Sequence, residues 1–291
     1  MIILSICIPT YNRADCLKAC LDSIVGQFND QKVFDDVEIV ISDNGSSDHT
    51  QDIADSFSQK YSNIRYSRNE TNIGFDRNLL KVVAASSGKY CLTIGDDDAI
   101  FPGTLSVLLD KIKNLDVPYL MLNCWGYDNQ LLNPVNSKPN LRINSDKIYK
   151  SLANFVESIN NPRDQIGLFG GMSTQVFLRE RWINFADKDK YIGTQTIHLF
   201  ILLSAFKESG FALIAEPMVK TRNDNVRWDT YPGLETSLGR SRSTIKGILW
   251  IDSLYGLHHS QIRIKAYFIF RSYWFFLKNT VKAVLSRLGL Y

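Results

Sequence analysis

Three consecutive aspartates follow a short apolar run in residues 90–103, Tyr90-Cys91-Leu92-Thr93-Ile94-Gly95-Asp96-Asp97-Asp98-Ala99-Ile100-Phe101-Pro102-Gly103. Adjacent carboxylates beyond a core strand are costly to bury, because each loses hydration and repels the others. A hard divalent cation, Mg²⁺ or Mn²⁺, that also bridges the phosphates of a substrate would compensate their charge. The alternative is a solvated acidic turn ahead of a helix.

Strand-like and helical segments alternate through the first half of the chain, which predicts an α/β fold with a mostly parallel sheet between helices. The predicted strands are Ile2–Ile8, Val37–Ser42, Ile64–Ser67, Tyr90–Ile94 and Tyr119–Cys124. The predicted helices are Ala14–Gln27, a helix from the 43–48 turn to Tyr61, Asp76–Ser86 and Thr104–Asn114. Polar segments 9–13, 43–48 and 96–98 each follow a strand. Ligands bind at the carboxyl ends of such strands, which favours a functional role for the acidic triplet.

The second half of the chain has a less regular pattern. Residues 126–144 are polar and rich in Asn and Pro, which indicates a loop or irregular hairpin. The later predicted elements are helices Lys147–Ile159 and Thr194–Lys207 and strands Thr174–Leu178, Phe211–Ala215 and Met218–Thr221. After Trp228 the pattern is helical. We therefore expect a catalytic domain over 1–225 and a helical C-terminal extension over 226–291.

Composition excludes several classes. The chain has 291 residues, 45% of them apolar, 22% charged, with a net charge of +3. This balance is typical of a globular protein, and the charge is too small to indicate a nucleic-acid partner. The five cysteines form no CxxC pair, which favours a reduced, cytoplasmic protein over a disulfide scaffold. No uncharged apolar stretch is long enough for a spanning helix.

Four segments in order resemble the signature of family 2 glycosyltransferases with the GT-A fold, whose sheet is mostly parallel and Rossmann-like. They are Ser5–Arg13, Glu38–Asp48, Asn69–Arg77 and the acidic triplet Asp96–Asp98. The resemblance implies a nucleotide-sugar donor and a divalent metal, Mg²⁺ or Mn²⁺. It covers roughly residues 2–114.

The resemblance also implies roles for single residues on the donor side. The turn after the first strand would lie against the nucleobase and ribose, or would simply cap the next helix; its residues are Pro9, Thr10, Tyr11, Asn12 and Arg13. Asp43 would accept a hydrogen bond from a pyrimidine, although an Asx-turn also explains it. Asn72 and Gly74 would border the nucleotide, and Arg77 would reach the crevice or remain solvated.

The triplet allows two alignments with the family pattern of Asp-x-Asp followed by a further Asp. Counting back from Pro102 puts Gly95 at the usual first Asp, with Asp97 and Asp98 as the later acids. If the pattern is shifted by one residue toward the C-terminus, Asp96 and Asp98 form the Asp-x-Asp pair. Alternating side-chain direction predicts that Asp96 and Asp98 point together while Asp97 points away. The resemblance implies that one of these acids coordinates the metal at the diphosphate and another holds the ribose, with Asp96 and Asp98 as the candidate metal ligands and Asp96 and Asp97 as the candidate donor contacts.

The acceptor side is less well defined. The Glu-Asp pair that many inverting members carry as general base is missing from residues 188–199, where Asp189 and His198 are the candidates. Residues 191–198 resemble bacterial O-antigen transferases, including abequosyltransferases. A retaining reaction would need no such base, so the stereochemical outcome stays open.

Two further features lie in the second half of the chain. Arg222 is a candidate clamp on the diphosphate. Gly170-Gly171 either lets the acceptor approach the backbone closely or forms a turn.

The C-terminal segment Ile262–Tyr291 mixes aromatic residues with six Lys or Arg and no acid. This composition is typical of a helix in the headgroup region of an anionic bilayer, or of a helix packed on the catalytic domain. We expect peripheral attachment to the inner face of the plasma membrane and a polyprenyl-diphosphate-linked saccharide acceptor.

Two rival functions follow from the same features. A dinucleotide oxidoreductase shares the strand–helix alternation, but no Gly-x-Gly-x-x-Gly follows the first strand. A non-catalytic relative that binds a membrane would explain the missing Glu-Asp pair. The favoured interpretation is a glycosyltransferase that builds bacterial surface polysaccharide, either O-antigen or capsule.

Overall fold

The computed structural model describes residues 1–158, 169–223 and 253–254. The chain divides into two compact units, one of residues 1–155 and 169–225 and the other of residues 156–168 and 226–291. The described helices and strands lie almost entirely in the first unit. Nearly all of the predicted extension 226–291, including the basic aromatic segment, lies outside the described residues.

Nine strands of the described chain form one sheet in the order β3-β2-β1-β4-β8-β6-β9-β5, with β7 paired to β9. The strands are β1 (Leu4–Thr10), β2 (Val37–Asp43), β3 (Ile64–Arg68), β4 (Tyr90–Thr93), β5 (Ala99–Ile100), β6 (Tyr119–Tyr127), β7 (Lys147–Tyr149), β8 (Gln175–Leu178) and β9 (Phe211–Arg222). Strands β3, β2, β1 and β4 are parallel, β8 is antiparallel to both β4 and β6, and β9 is parallel to β6.

The described helices are α1 (Ala14–Val25), α2 (Gln31–Asp36), α3 (Thr50–Lys60), α4 (Phe75–Ala85), α5 (Thr104–Leu115), α6 (Leu152–Ser158), α7 (Arg179–Asn184) and α8 (Ile197–Ala205). All seven residues of β1 and of β2 are buried. Burial along the whole strand is typical of parallel strands that are covered on both faces. Among the described residues, no helix is long and apolar enough to cross a membrane.

The predicted α/β class and mostly parallel sheet are confirmed. The predicted helix Lys147–Ile159 is wrong in its first part, because Lys147–Tyr149 pairs with Phe211–Leu213 as an edge strand. The two predicted strands between 211 and 221 are one strand, whose register with β6 shifts beside Pro217. Proline cannot donate to the ladder, so an interruption is expected there, but the bulge lets the strand continue.

Strands β1, β2, β4, β6 and β9 run in the same direction, so their carboxyl ends lie at one edge of the sheet. The segments that follow β1, β2 and β4 are the three polar segments predicted to meet there. The side-chain contacts described below show which of these three segments meet at this edge.

Candidate active site

The acidic triplet forms a turn directly after β4. Because β4 ends at Thr93, the two-residue alternation of a strand does not extend to the aspartates. Arg13 Nη1 contacts both Asp96 Oδ1, at 3.4 Å, and Asp97 Oδ2, at 2.5 Å. Because one guanidinium nitrogen reaches both carboxylates, Asp96 and Asp97 point toward the same side of the turn. The expectation that Asp97 points away from Asp96 is therefore wrong.

The turn after β1 is brought onto the triplet. Thr10 Oγ1 donates to Asp96 Oδ2 at 2.7 Å, so both oxygens of Asp96 face donors from the 10–13 segment. Asn12 holds the next segment along the edge, because its backbone N–H donates to Ser46 Oγ and its side-chain oxygen accepts from Ser47 N. Tyr11 remains 43% exposed at the edge. Contacts of Pro9–Arg13 with a base and ribose stay a prediction.

Asp98 is held from the opposite side by two residues that lie far away in sequence. Its Oδ2 accepts from Ser173 Oγ, and its Oδ1 accepts from the backbone N–H of Arg222 at 2.9 Å. Ser173 Oγ also accepts the backbone N–H of Gly95 at 2.9 Å, so this buried hydroxyl fixes both ends of the turn. Sequence reasoning missed Ser173, and the Gly170-Gly171 turn just before it was the only signal.

The triplet carries more negative charge than its protein partners neutralise. Burial raises the pKa of the Asp96 carboxyl to about 7, with the charge of Asp97 adding to the effect and Arg13 opposing it. Burial, followed by the charge of Asp97, likewise raises the pKa of Asp98 to about 7. A further cation at this turn would reverse both effects.

Gly95 lies close to two carboxylates of the turn. A Cβ at position 95 would lie 2.8 Å from Asp97 Oδ1, 3.4 Å from Ser173 Oγ and 3.6 Å from Asp98 Oδ2, so glycine is what lets these oxygens approach the same point of the backbone. Among the described residues, no group of three or more His, Cys, Asp or Glu side chains is arranged to hold a metal ion. Mg²⁺ commonly takes only one or two carboxylates and completes its shell with water and substrate phosphates, so a two-carboxylate site suits it.

Asp43 is fully buried and already has partners for both oxygens. Oδ1 accepts from Ser46 N at 2.9 Å and from Ser46 Oγ, and Oδ2 accepts from Tyr66 Oη at 2.9 Å. The contacts with Ser46, three residues on, close the turn after β2 much as the predicted Asx-turn would, although an Asx-turn bonds two residues on. The contact of Asp43 with a nucleobase stays a prediction.

The loop before α4 is fixed by amide side chains. Asn72 Oδ1 accepts from Asn44 Nδ2 at 2.7 Å and from Gly74 N at 2.9 Å. Gly74 has a φ of 86°, in the region that favours glycine. Asn72 and Gly74 are both exposed, as is Arg77 on α4. This loop is therefore available to a ligand, and the donor-binding roles of the three residues stay predictions.

Arg222 lies at the triplet but contacts backbone oxygens. Its Nε donates to the carbonyl of Asp97 at 2.8 Å, and its Nη1 donates to the carbonyl of Asn129. The guanidinium therefore ties the acidic turn to the loop after β6. A clamp on a diphosphate stays a prediction for this residue.

Neither candidate general base is brought to the triplet by a described contact. His198 is 2% exposed within α8, its Nε2 lies 3.1 Å from the Gly170 carbonyl, and burial lowers its pKa to about 4. This is the environment of a packing histidine, because a base must reach the substrate. Asp189 is exposed in a 3₁₀ turn, Lys188–Tyr191.

A match to a protein-family model identifies the family of this chain. The model described as glycosyl transferase family 2 matches residues 5–181, which include nearly all of β1, the whole of β2, the acidic turn and Ser173. The chain belongs to glycosyl transferase family 2. The resemblance predicted from residues 2–114 is thereby confirmed.

Curated relatives agree with this membership. The chain is 36% identical over 231 residues to the abequosyltransferase RfbV of Salmonella typhimurium, covering 77% of this chain and 67% of that protein. It is 31% identical over 122 residues to a GalNAc(5)-diNAcBac-PP-undecaprenol beta-1,3-glucosyltransferase of Campylobacter jejuni, covering 42% of this chain and 38% of that one. The chain thus spans about two thirds of the first protein and about two fifths of the second.

Solved structures confirm the GT-A fold. S. aureus TarS residues 1–349 in complex with UDP superpose with a TM-score of 0.60 at 16% identity, covering 86% of this chain and 65% of that one. The mannosyltransferase PcManGT of Pyrobaculum calidifontis in complex with GDP-Man and Mn²⁺ superposes with a TM-score of 0.54 at 14% identity, covering 99% of this chain and 80% of that one. At these identities the likeness extends to the fold alone.

Proposed function

We propose that this family 2 member transfers a sugar from a nucleotide diphosphate donor to a saccharide acceptor during synthesis of a bacterial surface polysaccharide. The observation that carries the proposal is the cluster of three carboxylates in one turn, where Asp97 and Asp98 both approach Gly95 and Asp96 is buried. Charge of this kind at the carboxyl edge of the sheet suits a dication that holds a diphosphate. The abequosyltransferase relative supports the polysaccharide assignment.

We propose Asp97 and Asp98 as the metal ligands, in place of the predicted pair Asp96 and Asp98. Asp97 Oδ1 and Asp98 Oδ2 both approach Gly95. Asp96 and Asp98 each have hydrogen-bond donors at both oxygens, but Asp96 is ion-paired with Arg13, whereas the partners of Asp98 are a hydroxyl and a backbone amide. A bound Mg²⁺ or Mn²⁺ would act there as a Lewis acid on the diphosphate. Arg13 and Thr10 hold Asp96 in the same turn as the two proposed ligands.

The lipid-linked acceptor and the membrane attachment belong to the same proposal. The Campylobacter relative is named for an undecaprenol-linked substrate, and an acceptor of that chemistry lies at a membrane surface. The basic aromatic segment Ile262–Tyr291 supplies the composition for contact with an anionic leaflet. The proposed place of the protein is the cytoplasmic face of the plasma membrane.

The function is tested by presenting labelled UDP-, GDP-, dTDP- and CDP-sugars with lipid-linked saccharides, with and without Mn²⁺. Transfer or donor hydrolysis from one nucleotide class, lost on chelation and restored by Mn²⁺, is expected because the carboxylates need the dication to hold a diphosphate. Thermal shifts with the free nucleoside diphosphates identify the class independently. A protein that binds vesicles but neither binds nor cleaves any donor would instead support the non-catalytic alternative.

Ser173→Ala is expected to lower kcat/KM for transfer about tenfold or more. The substitution removes a hydroxyl that donates to the Asp98 carboxylate, and a hydrogen bond to a charged group contributes about 1.5–3 kcal/mol. Steady-state kinetics should also show that Ser173→Ala needs a higher Mn²⁺ concentration than wild type to reach its half-maximal rate. Ser58→Ala is the matched control, since Ser58 Oγ donates only to a backbone carbonyl within α3. Equal loss in both variants would contradict the role given to Ser173.

A further inference from the structure

The loop after β6 exposes two large apolar side chains close to the candidate active site. Leu132 is 70% exposed and Val135 is 48% exposed, and they lie three residues apart in one turn. Most large apolar side chains of the described residues are buried, and exposed ones that occur together mark interaction surfaces. We refer to residues 128–136 as the apolar turn.

The apolar turn has a fixed backbone, so the exposure of its side chains is a property of the fold. Asp128 Oδ1 accepts the backbone N–H of Leu132 at 2.9 Å, and Asp128 Oδ2 accepts that of Asn133 at 3.2 Å. Leu131 has a φ of 59°, a left-handed conformation that is costly for leucine. Leu131 is buried in a small apolar cluster with Tyr127, whereas the next side chain, Leu132, lies in solvent. A turn that carries a backbone cost and still leaves a leucine outside is not explained by stability alone.

One arginine joins the apolar turn to the acidic turn. Arg222 Nη1 donates to the carbonyl of Asn129, and Arg222 Nε donates to the carbonyl of Asp97 at 2.8 Å. From the same strand, Lys220 Nζ donates to the carbonyl of Leu131 at 3.4 Å. A surface that binds the apolar turn is therefore held at a set distance from the proposed metal site.

The charge of the surrounding chain favours an anionic partner. Residues 129–145 contain Lys138 and Arg142, both exposed, and no acidic residue. The acid that begins the turn, Asp128, already accepts N–H groups of the turn itself. Exposed apolar side chains combined with cations, without acids, suit the headgroup region of an anionic bilayer. A soluble nucleotide or saccharide would not account for the exposed apolar side chains.

We propose that the apolar turn contacts the surface of an anionic bilayer, where Leu132 and Val135 enter the headgroup region and hold the acidic turn within reach of a lipid-linked acceptor. The acceptor part of this inference rests on the proposed function, whereas the membrane contact itself does not depend on catalysis. The contact lies within residues 1–155 and is additional to the one proposed for Ile262–Tyr291.

The first test is cosedimentation of the full chain with vesicles made of phosphatidylglycerol and phosphatidylcholine in equal parts. Leu132→Ser/Val135→Ser should bind about tenfold more weakly than wild type, because two apolar side chains no longer enter the headgroup region. Leu132→Trp should bind about threefold more tightly or better, because tryptophan favours the membrane interface, and such a gain cannot come from a damaged fold.

Ile148→Ser is the matched control for these variants. Ile148 is also an exposed apolar residue, at 62%, but it pairs with Ala212 at the opposite end of β9 from Arg222. Its vesicle affinity should equal that of wild type. Equal affinity of wild type and Leu132→Ser/Val135→Ser, or an equal loss in Ile148→Ser, would overturn the inference.

Hydrogen exchange locates the contact on the chain. Vesicles should slow the exchange of peptide 129–136 of wild type about fivefold or more, while exchange in helix α3 stays unchanged. If the peptide is instead protected without vesicles as the protein concentration rises, the turn joins two copies of the chain and the membrane assignment is wrong.

Transfer kinetics separate this inference from the proposed function. With a lipid-linked saccharide in the same vesicles, the acceptor KM of Leu132→Ser/Val135→Ser should rise about tenfold, while donor hydrolysis stays within about twofold of wild type. If wild type binds vesicles through the apolar turn but neither transfers nor hydrolyses any donor, the proposed function fails and the membrane contact stands. If wild type transfers sugar and the double variant keeps the same acceptor KM, the function stands and the inference is wrong.

Discussion

Asp98→Asn is expected to lower the rate of sugar transfer by about 1,000-fold or more at saturating substrate. A metal ion that stabilises a leaving diphosphate contributes several kcal/mol in the transition state, and each 1.36 kcal/mol corresponds to tenfold in rate. Asparagine keeps an oxygen able to accept from Arg222 N, so the turn should persist while one metal-binding charge is lost. The measurement is kcat for transfer together with the Mn²⁺ concentration that gives half-maximal rate.

Asp110→Asn is the matched control, because Asp110 is an exposed aspartate on α5 paired with Lys32. Its kcat and its response to Mn²⁺ should equal those of wild type. Mn²⁺ should also raise the melting temperature of wild type and of Asp110→Asn but not of Asp98→Asn. Full activity of Asp98→Asn, or equal metal-induced stabilisation of all three proteins, would contradict the metal site proposed at this turn.

The parallel half of the sheet was predictable because its signals are local. Val37–Asp43, for example, contains the β-branched apolar run Ile39–Ile41, and runs of this kind are typical of parallel strands that are buried on both faces. The triplet after Tyr90–Thr93 was also recognisable, since three adjacent acids after a core strand demand a partner. The sequence displays the charge of the triplet directly, and the metal that this charge suits stays a proposal.

The remaining features depend on contacts between residues that are distant in sequence. Residues 147–149 have a helical pattern, but β9 offers them an edge to pair with, and tertiary pairing overrides local propensity. Ser173 reaches Asp98 across 75 residues, and Arg222 reaches it across 124. No spacing rule connects such pairs, so the residues that hold the site in place appear only once the chain is folded.

The metal-free protein is expected to lose stability as the pH rises from 5 to 8, and Mn²⁺ is expected to remove that loss. The pKa values of Asp96 and Asp98 are about 7 in the folded protein, whereas an aspartate in an unfolded chain has a pKa near 3.9. Between these values the folded state binds more protons than the unfolded one. The stabilising contribution of the two groups is therefore complete below about pH 4 and is lost as the pH passes through about 7.

The expected size of the loss that Asp98 contributes is about 3 kcal/mol between pH 5 and pH 8, since about two pKa units lie between pH 5 and its folded pKa. It is measured as the difference in the free energy of urea unfolding between wild type and Asp98→Asn, in EDTA, so that the titration of other carboxyls cancels. In saturating Mn²⁺ the bound dication keeps the carboxylates ionised, so wild type should gain most stability at pH 8 and least at pH 5. A wild-type stability that rises with pH relative to Asp98→Asn in EDTA, or a Mn²⁺ effect equal at both pH values, would show that the acidic turn is an ordinary solvated loop.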